Sequence, residues 1–205
     1  KMGRKKKKKI NRPAKGHRPG FFRSKGKKGR DGMERKTEIA VIGAGVWGSA
    51  LADLLARKGY RVLAWEYNKA TARSLNQKRT HPALPGFTLH SGVKVFTELE
   101  KVVDRPDLLL MAVDSSHVRG LARGLNALLA GKPLPPIIAV SKGIEAGTLQ
   151  TVCEIMEAEI PRARNRTMIM TGPSFAVEVA AGAPTKVVLA GRDLKQLKKA
   201  AALME

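Results

Sequence analysis

The chain has 205 residues, 43% of them hydrophobic, and a formal net charge of +22 at pH 7. This length and apolar content are enough for one domain with a buried core, so a wholly disordered chain is excluded. The longest apolar runs, such as 108–113, are far shorter than a membrane span. No uninterrupted apolar segment follows the basic N-terminus, so we expect neither a membrane span nor a signal peptide.

The positive charge is concentrated at the N-terminus. Residues 1–36 contain 17 of the 39 Lys and Arg residues and two of the 17 acidic residues, with few large apolar side chains. Such a segment cannot offset the entropy cost of folding, so we predict a disordered Lys/Arg-rich tail over 1–36. Its charges would neutralise phosphates without contacting the base edges, so we expect no sequence-specific nucleic-acid partner. The chain begins with Lys1, and Met33 stands five residues before the first predicted strand, so the tail is either native or upstream sequence.

The most informative motif follows an apolar strand predicted over 38–42. The next residues are Gly43-Ala44-Gly45-Val46-Trp47-Gly48, and an Ala- and Leu-rich helix is predicted over 47–58. In a G-x-G-x-x-G pattern Gly43 permits a tight turn, Gly45 lets a pyrophosphate approach the backbone, and Gly48 lets the helix pack closely on the strand. The helix N-terminus then favours the phosphates. The motif predicts a dinucleotide site; the alternative is a structural glycine turn.

Short apolar runs alternate with helical patterns along the rest of the chain. The predicted strands are 38–42, 61–65, 107–113, 136–140, 167–170 and 185–190, and the predicted helices are 47–58, 69–78, 116–129, 149–159, 175–181 and 194–204. The alternation predicts an α/β fold of the Rossmann type, with a doubly wound, mostly parallel sheet, over 37–205. Ligands of such sheets bind beyond the carboxyl ends of the strands.

Cysteine and histidine usage excludes some kinds of site. Cys153 is the only cysteine, and it falls in an apolar helical pattern. No internal disulfide can form, which fits a reducing compartment, and we expect a cytoplasmic protein. The histidines lie in the tail, in loops or in the segment after the third strand, without metal-ligand spacing, so we expect no metal site.

Glu66 follows the second strand, where an acid commonly accepts hydrogen bonds from the adenosine ribose hydroxyls. A carboxylate there repels the 2′-phosphate of NADP, so NAD is slightly favoured over NADP. Two alternatives stay open. Tyr67 and Asn68 could displace Glu66 and let Lys69 meet the phosphate, or Glu66 could be an ordinary solvent-facing acid.

Two further groups of residues follow strands. Lys142, between Ser141 and Gly143, would project over the ligand edge of the sheet, where its ammonium could polarise a carbonyl or oxyanion. A solvated loop lysine is the alternative. The segment from Gly172 to Ser174 joins a strand to a helix, so Ser174 could cap that helix and the nearby amides could receive an anion.

Four segments together resemble the bacterial NAD(P)-dependent glycerol-3-phosphate dehydrogenases. They are Gly43-Ala44-Gly45-Val46-Trp47-Gly48-Ser49-Ala50-Leu51-Ala52, Ser116-His117-Val118, Ser141-Lys142-Gly143-Ile144-Glu145 and Gly172-Pro173-Ser174-Phe175-Ala176-Val177-Glu178-Val179-Ala180-Ala181-Gly182-Ala183-Pro184-Thr185. The last segment is the most specific. The resemblance covers about 37–205 and corresponds to the cofactor domain of that family.

The resemblance implies functions for individual residues. It implies coenzyme contacts at Val46, Trp47, Tyr67, Asn68, Lys142 and Ala176, and substrate contacts at Lys142, Gly172 and Ser174. The implied reaction is hydride transfer between NAD(P)H and dihydroxyacetone phosphate or sn-glycerol 3-phosphate, which supplies phospholipid precursor. Members of the family continue into a helical domain that carries the principal catalytic lysine. We expect this domain to be absent here and the isolated chain to be inactive.

Two departures from the family pattern concern the loop near the nicotinamide. Ser115 stands where the family often has Pro, and Asp114 stands where an apolar residue is usual. Two other functions stay open. One is a different Rossmann reductase, of the ketopantoate or 3-hydroxyacid type, against which the segment from Gly172 to Thr185 argues. The other is a polyanion-binding protein that acts through its basic tail. The oligomeric state stays open, including a homodimer of the full-length protein.

Overall fold

A computed structural model describes residues 27–28 and 34–205 of the chain. Its main sheet has seven strands in the order β5-β4-β3-β6-β7-β8-β9. These strands are β3 (Glu38–Ile42), β4 (Arg61–Trp65), β5 (Val93–Phe96), β6 (Leu108–Met111), β7 (Ile137–Ala139), β8 (Thr167–Thr171) and β9 (Val188–Gly191). Neighbouring strands are parallel, except that β9 runs antiparallel to β8. The predicted doubly wound, mostly parallel sheet is confirmed.

Helices cover both faces of the sheet. They are α1 (Val46–Arg57), α2 (Lys69–Arg73), α3 (Ser115–Leu128), α4 (Val152–Glu159), α5 (Ala176–Ala180) and α6 (Leu194–Met204), with a π-helical turn at Ser74–Lys78 and 3-10 turns at Leu99–Lys101 and Pro161–Ala163. None of the helices in the described ranges is long and apolar enough to cross a membrane.

The core consists of two apolar layers, one on each face of the sheet. Successive residues of a strand point to opposite faces. Ile39 of β3 therefore packs in one layer with Leu55 of α1, whereas Ile42 packs in the other layer with Val118 of α3 and Ile155 of α4. All of β6 is inaccessible to solvent, as expected for a central parallel strand covered on both faces.

The structure differs from the predicted elements at several points. The strands predicted over 107–113 and 185–190 are observed as Leu108–Met111 and Val188–Gly191. Strand β5 was not predicted, because its four residues are few and follow a long irregular segment. The helix predicted over 149–159 begins at Val152 instead, because Leu149 has a positive φ of 57° and Thr151 forms a capping box with Glu154. The helix predicted over 69–78 is α-helical only to Arg73 and π-helical beyond it.

Only a small part of the predicted tail is described. Lys27–Lys28 (β1) pairs antiparallel with Glu34–Arg35 (β2), where the sequence predicted no regular structure. The Arg35 guanidinium donates to the Asp107 carboxylate at 3.0 Å and so contacts the start of β6. The predicted disorder of 1–36 otherwise lies outside the described residues and stays a prediction.

Candidate functional site

The turn between β3 and α1 holds two stretches of backbone in close contact. The amides of Gly43 and Ala44 both donate to the Trp65 carbonyl, at 3.0 and 2.9 Å. Gly43 has a φ of +99°, and a Cβ there would lie 2.6 Å from the Ala112 carbonyl oxygen. A Cβ on Gly48 would lie 1.8 Å from the carbonyl oxygen of Gly43. Both glycines are therefore required by packing.

Gly45 differs from these two glycines because it faces open space. A Cβ built on it has no heavy atom within 4 Å. Gly45 is the N-cap of α1, and the first intrahelical bond runs from the Ser49 amide to its carbonyl. The amides of Val46, Trp47 and Gly48 come before that bond, so no helical carbonyl is available to them. The turn thus offers free N–H groups at a helix N-terminus with room for an anion.

Glu66 lies at the end of β4 and is only 5% exposed. Its Oε1 accepts from the Asn68 amide at 2.8 Å, and its own amide donates to the Phe96 carbonyl of β5. Burial raises the pKa of Glu66, and the Asn68 hydrogen bond partly opposes this. An ordinary solvent-facing acid does not fit this burial. The Asn68 side chain caps α2, and Tyr67 is 75% exposed.

A cleft of about 340 Å³ lies beyond the ends of β6, β7 and β8. Its lining comprises Trp47, Ala112, Val113, Asp114, Val140, Ser141, Lys142, Ser174, Phe175 and Ala176. The fold thus brings together four residues that the sequence singled out, Trp47, Lys142, Ser174 and Ala176. The other predicted site residues do not line this cleft. Those of the β3–α1 turn are Gly43, Gly45, Val46 and Gly48, and those that follow β4 are Glu66, Tyr67 and Asn68. Gly172 precedes Ser174 by two residues.

Lys142 is exposed and lies three residues beyond the end of β7. It forms no hydrogen bond or ion pair with any residue in the described part of the chain. Gly143 next to it has a φ of +106°, and a Cβ there would lie 3.4 Å from the Ser115 hydroxyl oxygen at the start of α3. The Lys142 ammonium is therefore available to a ligand in the cleft.

The prediction that Ser174 caps the following helix is wrong. Helix α5 begins at Ala176, its N-cap is Phe175, and no side chain caps it. Ser174 lies one residue too early, and its hydroxyl donates instead to the Gly172 carbonyl at 3.5 Å. Gly172 has a φ of +146°, and a Cβ there would lie 3.0 Å from the Lys186 carbonyl oxygen.

His81 was dismissed from the sequence as a loop histidine, but it lies beside the glycine turn. The ring is buried, and its Nδ1 accepts from the Ala83 amide at 3.1 Å. Burial lowers the pKa of His81, and a hydrogen bond to the backbone of Ala44 opposes this. The Ala44 carbonyl also accepts from the Ser49 hydroxyl at 2.8 Å. His81 therefore supports the turn, a role that no sequence spacing indicated.

A second and larger groove, of about 710 Å³, contains none of the predicted site residues. It lies between α1, β9 and the C-terminal end of α6, and Val179, Leu189 and Met204 contribute to its lining. Size alone does not identify the site. The smaller cleft carries the convergent polar groups, and we take it as the candidate site.

Comparisons with known proteins agree with this geometry. Residues 38–197 match the family described as NAD-dependent glycerol-3-phosphate dehydrogenase N-terminus. The glycerol-3-phosphate dehydrogenase (NAD(P)+) of Bradyrhizobium sp. (strain ORS 278) is 41% identical over 155 residues, which are 76% of this chain and 46% of that protein. The enzyme of the same name from Rhodopseudomonas palustris (strain BisA53) is 38% identical over 161 residues, 78% of this chain and 48% of that protein.

A solved structure is similar over the same region. The crystal structure of glycerol-3-phosphate dehydrogenase from Coxiella burnetii aligns with a TM-score of 0.74 at 27% identity, covering 83% of this chain and 51% of that one. The chain spans about half the length of the curated relatives it matches.

The two kinds of glycine in the turn should respond differently to alanine. Gly48→Ala forces a methyl group against backbone and should cost about 3 kcal/mol of unfolding free energy, the upper end for overpacking. Gly45→Ala places its methyl group in open space, so it should keep the fold but weaken NADH binding. Urea unfolding and NADH titration of both variants test this. Equal stability of the two variants would contradict the packing argument.

His81 should make stability depend on pH. The folded domain keeps the ring neutral, whereas the unfolded chain binds a proton near pH 6.5. The contribution is thus complete above about pH 6.5 and is lost as the pH falls toward the lowered folded pKa. Between pH 7.5 and 5.5 the melting temperature of the wild type should fall more than that of His81→Gln. His117→Gln, which changes an exposed ring, is the control and should behave as the wild type does; parallel curves for all three proteins would refute the prediction.

Proposed function

Because the chain belongs to the family of NAD-dependent glycerol-3-phosphate dehydrogenase N-termini, we propose that it forms the coenzyme-binding part of such an enzyme. The reaction is hydride transfer between NAD(P)H and dihydroxyacetone phosphate or sn-glycerol 3-phosphate. The observation that carries the proposal is the open space at Gly45, at the N-terminus of α1 and next to the cleft that Trp47 and Lys142 line.

The residues of the turn fit a dinucleotide. A pyrophosphate at Gly45 would accept hydrogen bonds from the free amides of Val46 and Trp47, where the helix dipole also favours negative charge. The segment from Glu66 to Asn68 directly follows Trp65, whose carbonyl anchors the turn, so its residues would be the ones to hold the adenosine ribose. The nicotinamide end of the coenzyme would extend toward the cleft. When bound, the coenzyme supplies or accepts the hydride.

Lys142 and Ser174 complete the substrate side of the proposal. Both line the same cleft, and the Lys142 ammonium has no protein partner there among the described residues. A cation aimed at the substrate oxygen stabilises the negative charge that develops on it during reduction. The Ser174 hydroxyl is a donor or acceptor for a second oxygen of the substrate. Ala176, at the start of α5, also lines the cleft and would contact the coenzyme there.

The family match and the relatives' names favour this function over a ketopantoate or 3-hydroxyacid reductase. Polyanion binding would involve the basic tail, of which the structure describes only a small part. It would not use the residues of the cleft, so it is compatible with the proposed function. A cytoplasmic location and a small-molecule substrate follow from the proposed reaction.

A coenzyme titration tests the proposal. NADH should bind saturably to one site and quench the fluorescence of Trp47, which lines the cleft. Dihydroxyacetone phosphate should change the fluorescence of bound NADH in the wild type, and Lys142→Ala should abolish that change. Lys132→Ala is the matched control, because Lys132 pairs with Asp104 at 3.0 Å and does not line the cleft. A wild type that binds no NADH would overturn the proposal.

Glu66 should set the coenzyme preference. If its carboxylate faces the adenosine ribose, NADH should bind more tightly than NADPH, and Glu66→Gln should reduce the ratio of the two affinities by about tenfold, or 1.4 kcal/mol. Burial raises the pKa of Glu66, so the preference should already weaken at a pH where an exposed carboxylate is still ionised. Titrations with both coenzymes at two pH values measure this. Tighter binding of NADPH by the wild type would assign the preference to Asn68 or Lys69 instead.

A further inference from the structure

Lys142 lies in a loop that connects β7 to α4. The Lys142 loop, residues 141–151, leaves the end of β7 and returns at the N-cap of α4. Inside it, the Glu145 amide donates to the Gln150 carbonyl at 2.9 Å, and the Leu149 amide donates to the Glu145 carbonyl at 3.0 Å. These bonds close the far end of the loop on itself. They do not attach it to the rest of the domain.

The backbone of the loop is held in unusual conformations. Gly143, Gly147 and Leu149 have φ values of +106°, +90° and +57°. A positive φ is costly for a leucine, and such residues persist only when their surroundings hold them. The Leu149 side chain is 71% exposed, so its own packing does not supply this support.

The Ser141 hydroxyl donates to the Met111 carbonyl at 3.2 Å and holds the start of the loop on the sheet. Arg119, on α3, attaches the far end of the loop to the domain. Its Nε donates to Glu145 Oε1 at 2.9 Å and its Nη2 donates to Glu145 Oε2 at 2.6 Å, a two-pronged contact that suits a planar guanidinium. Nη2 also donates to Gln150 Oε1 at 2.5 Å. Nη1 donates to Glu159, the last residue of α4. One side chain thus joins α3, the Lys142 loop and α4.

The Arg119 contacts are shielded from solvent. The Arg119 side chain is 22% exposed, and those of Glu145 and Glu159 are 15% exposed. The hydrogen bonds from Arg119 and then from Thr148 lower the pKa of Glu145 to about 2. The carboxylate is therefore charged, and the contact intact, throughout the pH range in which the protein would work.

We propose that Arg119 is a positioning residue for Lys142: by holding Glu145 and Gln150, it fixes the loop and so sets where the Lys142 ammonium lies in the cleft. The effect on ligands rests on the function proposed above, but the effect on the loop does not. Arg119 itself does not line the cleft, and it acts only through the loop.

Arg123 provides a matched control on the same helix. It lies one turn beyond Arg119, and its Nε donates to Glu159 at 2.9 Å. Among the described residues it forms no hydrogen bond or ion pair with the Lys142 loop, and its charge acts on Glu145 only at longer range, as a minor contribution to the lowered pKa of that carboxyl. Arg119→Gln and Arg123→Gln therefore remove the same charge from the same helix. Only the first releases the loop. Glu145→Gln removes the carboxylate that Arg119 binds on the loop. It replaces Arg119→Gln as the test variant if Arg119→Gln does not fold.

The first measurement is hydrogen exchange of the backbone amides in 142–150, which needs no coenzyme. Exchange there should be roughly tenfold faster in Arg119→Gln, equivalent to about 1.4 kcal/mol, and unchanged in Arg123→Gln. Glu145→Gln should accelerate the same amides. If the loop amides exchange at the wild-type rate in both Arg119→Gln and Glu145→Gln, the proposal is overturned.

The second measurement is a double-mutant cycle on NADH affinity. The family resemblance implies that Lys142 contacts the coenzyme as well as the substrate, so Arg119→Gln should weaken NADH binding. It should have no further effect in a Lys142→Ala background, because Arg119 acts through Lys142. A general structural role would instead give the same loss in both backgrounds and would overturn the proposal. If the wild type binds no NADH, the proposed function fails, and the exchange rates alone decide whether Arg119 fixes the loop.

Discussion

The turn between β3 and α1 brings two stretches of backbone closer than any side chain would allow. Helix α1 can begin directly beyond the end of β3 only because no Cβ separates the Gly48 backbone from the Gly43 carbonyl. This contact aims the helix N-terminus at the carboxyl edge of the sheet. Parallel strands β6, β7 and β8 bring Asp114, Lys142 and Ser174 to the same edge. A dipole that favours anions and a free ammonium therefore meet at one cleft, although they come from segments far apart in sequence.

The cationic side chains of Lys142 and Arg119 have different surroundings and different proposed roles. Lys142 has no protein partner in the described structure and keeps its charge available to a ligand. Arg119 instead donates its hydrogen bonds to groups of the protein, and its charge is neutralised by Glu145 and Glu159. A flexible ammonium is useful as a ligand contact only where its backbone is fixed, and a planar guanidinium is well suited to fixing it. In our proposal, the paired guanidinium of Arg119 allows an exposed loop to hold the Lys142 charge in a defined place.

The sequence was sufficient for features that depend on local pattern. Strands β3 and β4 were predicted to the residue, because each consists of one charged residue and four apolar residues and is followed by glycine or glutamate. Features that depend on tertiary contacts were either not predicted or predicted incorrectly. The direction of β9 depends on where the chain emerges after α5, and β5 is too short to be distinguished from its loop. His81 supports Ala44 from 37 positions away, and Arg119 contacts Glu145 from 26 positions away, distances at which no spacing rule operates. Ser174 was given a capping role because the helix was expected to begin one residue too early.

The shared acceptor at Trp65 has a consequence for changing what the protein recognises. One carbonyl receives both amides of the glycine turn, and the next residue along the chain is Glu66. In the coenzyme site that we propose, the turn and the segment after β4 would therefore be coupled through a single peptide group. A substitution after β4 that moved the Trp65 carbonyl would also move the turn. Side-chain changes that leave this peptide group in place are therefore the ones expected to alter recognition alone.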